Sequence, residues 1–125
     1  MTDLDFKELK DLLCKWWDEL PRKKENPIVT ELKEIKIKLQ EIRKEGKDDC
    51  ETFKRYRTTF ENYYAVFVQI FQKAEARSEI EKNSNYICRL LKVIVDNRMY
   101  TIFVNRALFC LLEHLKNLIE AIEND

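Results

Sequence analysis

The chain has 125 residues, the size of one domain, and a hydrophobic share of 45% is enough for one core. One glycine and two prolines leave too little turn chemistry for a β-sandwich or barrel, so an all-α domain with long helices and few loops is expected. Twenty-three Lys and Arg balance 23 Asp and Glu, which excludes a global field for nucleic acid or an anionic membrane and leaves only local patches.

The charge is unevenly spread along the chain. Residues 1–20 and 113–125 are each net −3, residues 21–57 are net +4 and residues 58–112 are net +2, so acidic ends flank a mildly basic middle. Cys14, Cys50, Cys88 and Cys110 form no CxxC pair, which disfavours zinc and a disulfide scaffold and fits reduced thiols in a cytoplasmic protein. Cys14, Cys88 and Cys110 sit in apolar contexts and are expected as small core residues. The opening MTDLDFKELK is acidic where a secretory leader is basic, and no apolar run reaches the ~18 residues of a membrane span.

A first helix is expected from about Asp3 to Leu20, capped by Thr2 and ended by Pro21. Its adjacent Trp16 and Trp17 diverge by about 100° and cannot share one narrow stripe, so one ring is a candidate interface residue. A second helix starts at Asn26 and Pro27 and carries Ile28, Leu32, Ile35, Leu39 and Ile42 at alternating steps of 4 and 3, a heptad seam. Gly46 is expected to supply its left-handed stop.

A third helix is expected from about Asp49 to Arg77, with an aromatic stripe of Phe53, Tyr56, Phe60, Tyr63 and Phe67 continued by Ile70 and Ala74. Its outer side carries Lys54, Arg55 and Arg57. Ser78 and Ser84 are candidate caps for a fourth helix, read from Tyr86 to Asp96 through Ile87, Leu90, Leu91, Ile94 and Val95. The fifth runs from about Met99 to Glu123, with Ile102, Phe103, Leu108, Leu111, Leu112, Leu115, Leu118, Ile119 and Ile122 inward. Short connections make neighbours antiparallel, and the whole reads as one single-domain antiparallel bundle of about five helices.

No residue set supports catalysis. His114 is the one histidine, its best partner in sequence is Arg106 about 12 Å along the same helix, and a surface or structural role is the expectation. No glycine-rich phosphate loop, metal set or cofactor motif is present. Lys33, Lys36, Arg43 and Lys44 approximate a helical row of phosphate-neutralising cations, in surroundings where Glu31, Glu34, Glu41 and Glu45 can pair with them. Arg77 ends the apolar run FVQIFQKAEAR beside two small alanines, where it either caps a helix or meets a partner.

Three local patterns resemble the small all-helical subunit of type III-A (Csm-type) CRISPR effector complexes. These are VTELK with Thr30, Leu32 and Lys33; VQIFQKAEAR with Ala74, Ala76 and Arg77; and IFVNRALFCLLEHLK with Phe103 and Arg106. The chain departs from that pattern in carrying lysine where arginine is usual, in lacking a glycine before Arg77, and in the ending of the last helix. The resemblance implies a non-catalytic structural subunit of an antiviral ribonucleoprotein that holds guide and target RNA by sequence-independent backbone contacts and touches other subunits of the effector complex. Lys33, Arg77 and Arg106 would be its matched basic positions. The alternative reading is a helical protein-interaction or self-associating module, a homo-oligomer using the Trp16 and Trp17 flank, for instance from a virus or mobile element, that binds no nucleic acid.

Overall fold

A computed structural model describes residues 10–11, 27–49, 51–96 and 101–124. Five helices stand among them: α1 (Pro27–Asp48), α2 (Thr52–Arg55), α3 (Arg57–Lys73), α4 (Glu79–Asp96) and α5 (Thr101–Glu123), with no strand among the described residues. The all-α expectation holds. Of the first helix expected at residues 3–20, Lys10 and Asp11 are helical and exposed, and Trp16, Trp17 and Cys14 lie outside the described residues.

The four long helices run up, down, up and down. α3 packs on α4, α4 on α5, and α5 returns beside α1, while single-turn α2 makes the corner between α1 and α3. The antiparallel register of α1 and α5 is set by two contacts, Lys33 with Glu123 and Arg43 with Asn105. Ile28, Leu32, Ile35, Leu39 and Ile42 are all completely buried, so the heptad seam is the buried edge of α1. Phe60, Tyr63, Phe67 and Ile70 from α3, Ile87, Leu91 and Ile94 from α4, and Leu108, Leu111, Leu115 and Leu118 from α5 complete the core. Full burial of one such side chain is worth about 1.5–3 kcal/mol, so this cluster dominates the stability.

Several expected boundaries are corrected. Gly46 does not stop α1: the helix continues to Asp48 and no glycine has positive φ. Gly46 is instead a packing site, because a Cβ there would meet three atoms of the Phe53 ring. The expected third helix is divided at Tyr56, whose φ of −98° and ψ of 15° leave the helical region. The break is held by Lys38 over the Tyr56 ring at 5.1 Å and by the Tyr56 hydroxyl donating to Glu45 Oε2 at 3.3 Å. Tyr56 and Ala74 are accordingly half-buried rather than core.

α3 ends at Lys73, not at Arg77, because Ala74 turns extended with ψ 151°. α4 begins at Glu79, seven residues before the expected Tyr86. Ser78 caps it: its Oγ accepts from the Glu81 N–H at 3.0 Å, and the Glu81 carboxylate accepts from the Arg77 N–H at 2.8 Å, a near-reciprocal capping arrangement. Ser84 is no cap but a buried residue whose hydroxyl donates to the Ile80 carbonyl at 2.7 Å.

On α5, Ile102 and Phe103 are 60% and 48% exposed instead of inward, and Val104 and Ala107 take the core positions. Cys110 is also exposed, whereas Cys88 is buried as expected. Leu112 on α5 and Leu90 and Val95 on α4 are half-buried, at the margins of the core stripe.

Replacing Gly46 with alanine tests the close approach of Phe53. Helix propensity favours alanine by about 1 kcal/mol, but overpacking costs about 1–3 kcal/mol. The Gly46→Ala protein therefore unfolds at lower urea concentration than wild type, and a paired Phe53→Leu change removes most of that penalty.

Candidate functional site

Because α1 buries one narrow stripe, its remaining residues divide into two flanks at 100° per residue. Lys33, Lys36, Arg43, Lys44 and Lys47 fall about 60° to 160° to one side of the stripe, and Glu31, Glu34, Glu41 and Glu45 fall about 60° to 140° to the other, where Lys38 also lies, over the Tyr56 ring. The basic flank borders α5, as the Lys33 ion pair to Glu123 at 3.2 Å and the Arg43 bonds show. The acidic flank borders α2, where Glu45 meets Arg55 at 3.2 Å. The division follows from the phase of the seam at about 100° per residue; the structure adds which helix each flank borders.

The four α1 candidates do different things. Lys33 and Lys44 are exposed and Lys36 is half-buried. Arg43 clasps α5: its Nε donates to the Asn105 carbonyl at 3.2 Å, and Asn105 Nδ2 donates back to the Arg43 carbonyl at 3.4 Å. Its guanidinium also stacks over the Phe109 ring at 5.0 Å. Arg43 is therefore a cross-helix clasp as well as a cation.

Arg77 and Arg106 do not join this row. Arg77 sits in the turn between α3 and α4, exposed, with φ 68°, the one non-glycine residue in the left-handed region among the described residues. It is therefore not a cation at the end of α3, which stops at Lys73. Arg106 is exposed on the outer side of α5. By helix rise the two stand about 20 Å apart along the bundle axis, towards opposite ends.

The other cations on the third expected helix are locally occupied. Arg55 Nη2 reaches Asp49 Oδ2 at 2.7 Å and Glu45 Oε1 at 3.2 Å, Lys54 pairs with Glu51 at 3.6 Å, and Arg57 with Glu61 at 3.8 Å. The hydrogen bond from Arg55, with a second from the Glu51 N–H, holds the Asp49 carboxyl below its ordinary range. These groups fasten the α1–α2–α3 corner.

His114 is also accounted for by packing. Asn83, which is buried, donates from Nδ2 to the Glu79 carbonyl at 2.9 Å, which leaves its Oδ1 to accept from His114 Nδ1 at 3.1 Å. Tyr86 stacks on the imidazole with ring centroids 4.5 Å apart. The ring thus pins α5 to α4. Sequence reasoning missed Asn83 and Asn105, polar residues that fasten helix pairs. Their polarity within apolar-periodic segments was the available signal.

Among the described residues no group of His, Cys, Asp and Glu side chains could hold a metal ion, and no helix is long and apolar enough to cross a membrane. Burial pushes the Cys88 thiol from 9.0 up to about 12, so it stays protonated and inert. No protein-family model, curated protein or solved structure matches the chain.

Two measurements separate clasp from surface charge. Arg43→Ala lowers stability by about 1–2 kcal/mol, through loss of a charge-assisted hydrogen bond and the stacked ring. Lys33→Ala, whose ion pair is half exposed, changes it by less than about 0.5 kcal/mol in the same urea titration. Above the ordinary pKa of 9.0 the unfolded chain loses the Cys88 proton that the folded chain keeps to about 12, so this thiol makes stability fall as pH rises across that window. Over pH 9 to 11, Cys88→Ala shows a shallower decline than wild type in urea midpoint.

Proposed function

We propose that the chain is a non-catalytic helical subunit of a ribonucleoprotein that contacts RNA backbone without reading its sequence. The observation that carries this reading is the sorting of charge on α1, with Lys33, Lys36, Arg43, Lys44 and Lys47 on one flank and the glutamates, with Lys38 among them, on the other. From Lys33 to Lys44 the row extends about 16 Å, long enough for several consecutive phosphates. The resemblance to the type III-A small subunit suggests the assembly, with guide and target RNA as the ligand and neighbouring effector subunits as partners. Arg77 and Arg106 enter through that resemblance alone, as contacts at two ends of the bundle rather than members of the row.

A second reading is favoured by a separate observation. Ile102, Phe103 and Phe109 are 60%, 48% and 55% exposed on one helix, apolar surface suited to a helical protein-interaction or self-associating module.

Binding of labelled single-stranded RNA tests the first reading. The first reading expects weak binding at low salt, equal for poly-U and poly-A, with a log–log salt slope of about −3 for four phosphates. Lys36→Glu with Lys44→Glu halves that slope, and Arg77→Gly, which relieves the left-handed backbone, tests the turn without harming the fold. If the protein shows no RNA affinity at low salt, the first reading is lost and the interaction module stands.

A further inference from the structure

The outer side of α5 carries a stripe that the described bundle does not use. Relative to the buried positions Leu111, Leu115 and Leu118, the residues Ile102, Arg106, Phe109, Glu113 and Glu120 point most nearly away from the core. Phe109 lies on the edge of this stripe towards α1, where Arg43 covers one face of its ring. Cys110 lies on the opposite edge, towards α4, and is exposed. Arg106 and Glu113 are both exposed, seven residues and about 10 Å apart along one face, too far to pair with each other. Neither has an ion-pair partner among the described residues.

This stripe is complementary to itself when run backwards. Two α5 helices packed antiparallel about a dyad between Phe109 and Cys110 bring each Arg106 opposite the Glu113 of the other copy, since the two residues are equally far from that point. The same operation sets Phe109 beside its own mate on one edge, Cys110 beside its mate on the other, and Ile102 opposite Asn117. Apolar contact at the centre with two reciprocal ion pairs around it is the pattern of an isologous interface. A one-turn slip to a dyad near residue 111 would face Arg106 with Lys116, two cations, so the charges also select the register.

We infer that α5 is a self-docking surface through which two copies of this chain form an antiparallel, two-fold dimer centred on Phe109 and Cys110. The inference rests on the interaction-module reading and adds its partner and its register; it needs neither the RNA row nor the tryptophans.

Sedimentation of the full chain over a range of concentrations tests it. A reversible dimer is expected for wild type. Arg106→Glu puts carboxylates opposite each other at two places, Glu113→Arg does the same with guanidinium groups, and either raises the dimer Kd at least about tenfold. The double swap Arg106→Glu with Glu113→Arg restores the pairing and brings Kd back to near the wild-type value. A short bis-maleimide crosslinks wild type but not Cys110→Ser into a covalent dimer. A chain that stays monomeric at all concentrations overturns both the dimer and self-association. A dimer whose Kd ignores both single charge reversals, or that the double swap fails to restore, overturns this surface while leaving an interaction module. A dimer lost in Trp17→Ala but kept in Arg106→Glu does the same.

Discussion

The bundle depends on bringing its first described long helix back against its last. α1 and α5 are distant in sequence, with 62 positions between Arg43 and Asn105, so closing this pair has an entropic cost that local helix formation does not repay. Burial offsets it. Five α1 side chains with no exposed surface meet an α5 face led by Leu108, Leu111, Leu115 and Leu118, and the attraction between such apolar surfaces is non-directional. The directional contacts fix the register. Arg43 and Asn105 exchange side chain to carbonyl bonds in both directions, which a shift of either helix by one turn would break.

Much of this was legible in the sequence because a heptad seam has only one phase. Ile28, Leu32, Ile35, Leu39 and Ile42 leave no choice of inward face, and all five are buried. α5 is different. Its first turn is apolar on more than one side, so hydropathy alone cannot choose between Ile102 with Phe103 and Val104 with Ala107; the position of α1 and α4 makes that choice. The start of α4 was hidden for the opposite reason. Asn83 and Ser84 look like loop residues, yet each returns its side chain to the carbonyl four residues back, which lets polar groups lie inside a buried helical turn. Gly46 departs from the expected helix stop: a glycine near a helix end usually marks positive φ, whereas here its missing Cβ admits an aromatic ring.

The candidate site was legible as composition and, through the phase of the seam, as two flanks of α1, but not in what each flank faces. Lysines and glutamates alternate along α1 in sequence, which suggests mutual neutralisation at helical spacing. The buried stripe divides them, Lys38 excepted, and the two flanks then face different neighbours, α5 and α2. Arg43 shows what spacing cannot give, because its role is decided by Asn105 and Phe109, residues of another helix. Arg77 shows the converse. Its environment is local, a left-handed turn closed by Ser78 and Glu81, but the turn exists because Ala74 leaves the helix before the dipole of α3 can reach Arg77.

Arg43 over Phe109 is also where the two proposed surfaces meet. Phe109 marks the edge of the α5 stripe nearest α1, and a two-fold axis perpendicular to two antiparallel helices keeps each edge on its own side. The α1 helices of both copies would therefore lie on the same side of the dimer, with the α4 helices together on the other. Each basic flank borders α5, so the pair would form one broad face carrying Lys33, Lys36, Lys44 and Lys47 twice, at either side of the Phe109 edge. A single row of cations interrupted by the Lys33 ion pair with Glu123 is a weak electrostatic ligand for a polyanion. Doubling it on one face converts the second contact into an intramolecular one, and effective concentration then supplies affinity that neither row has alone. Self-association and backbone binding are in that case not competing uses of the fold, and the Arg43 clasp, by fixing α1 beside Phe109, couples the geometry of one to the other.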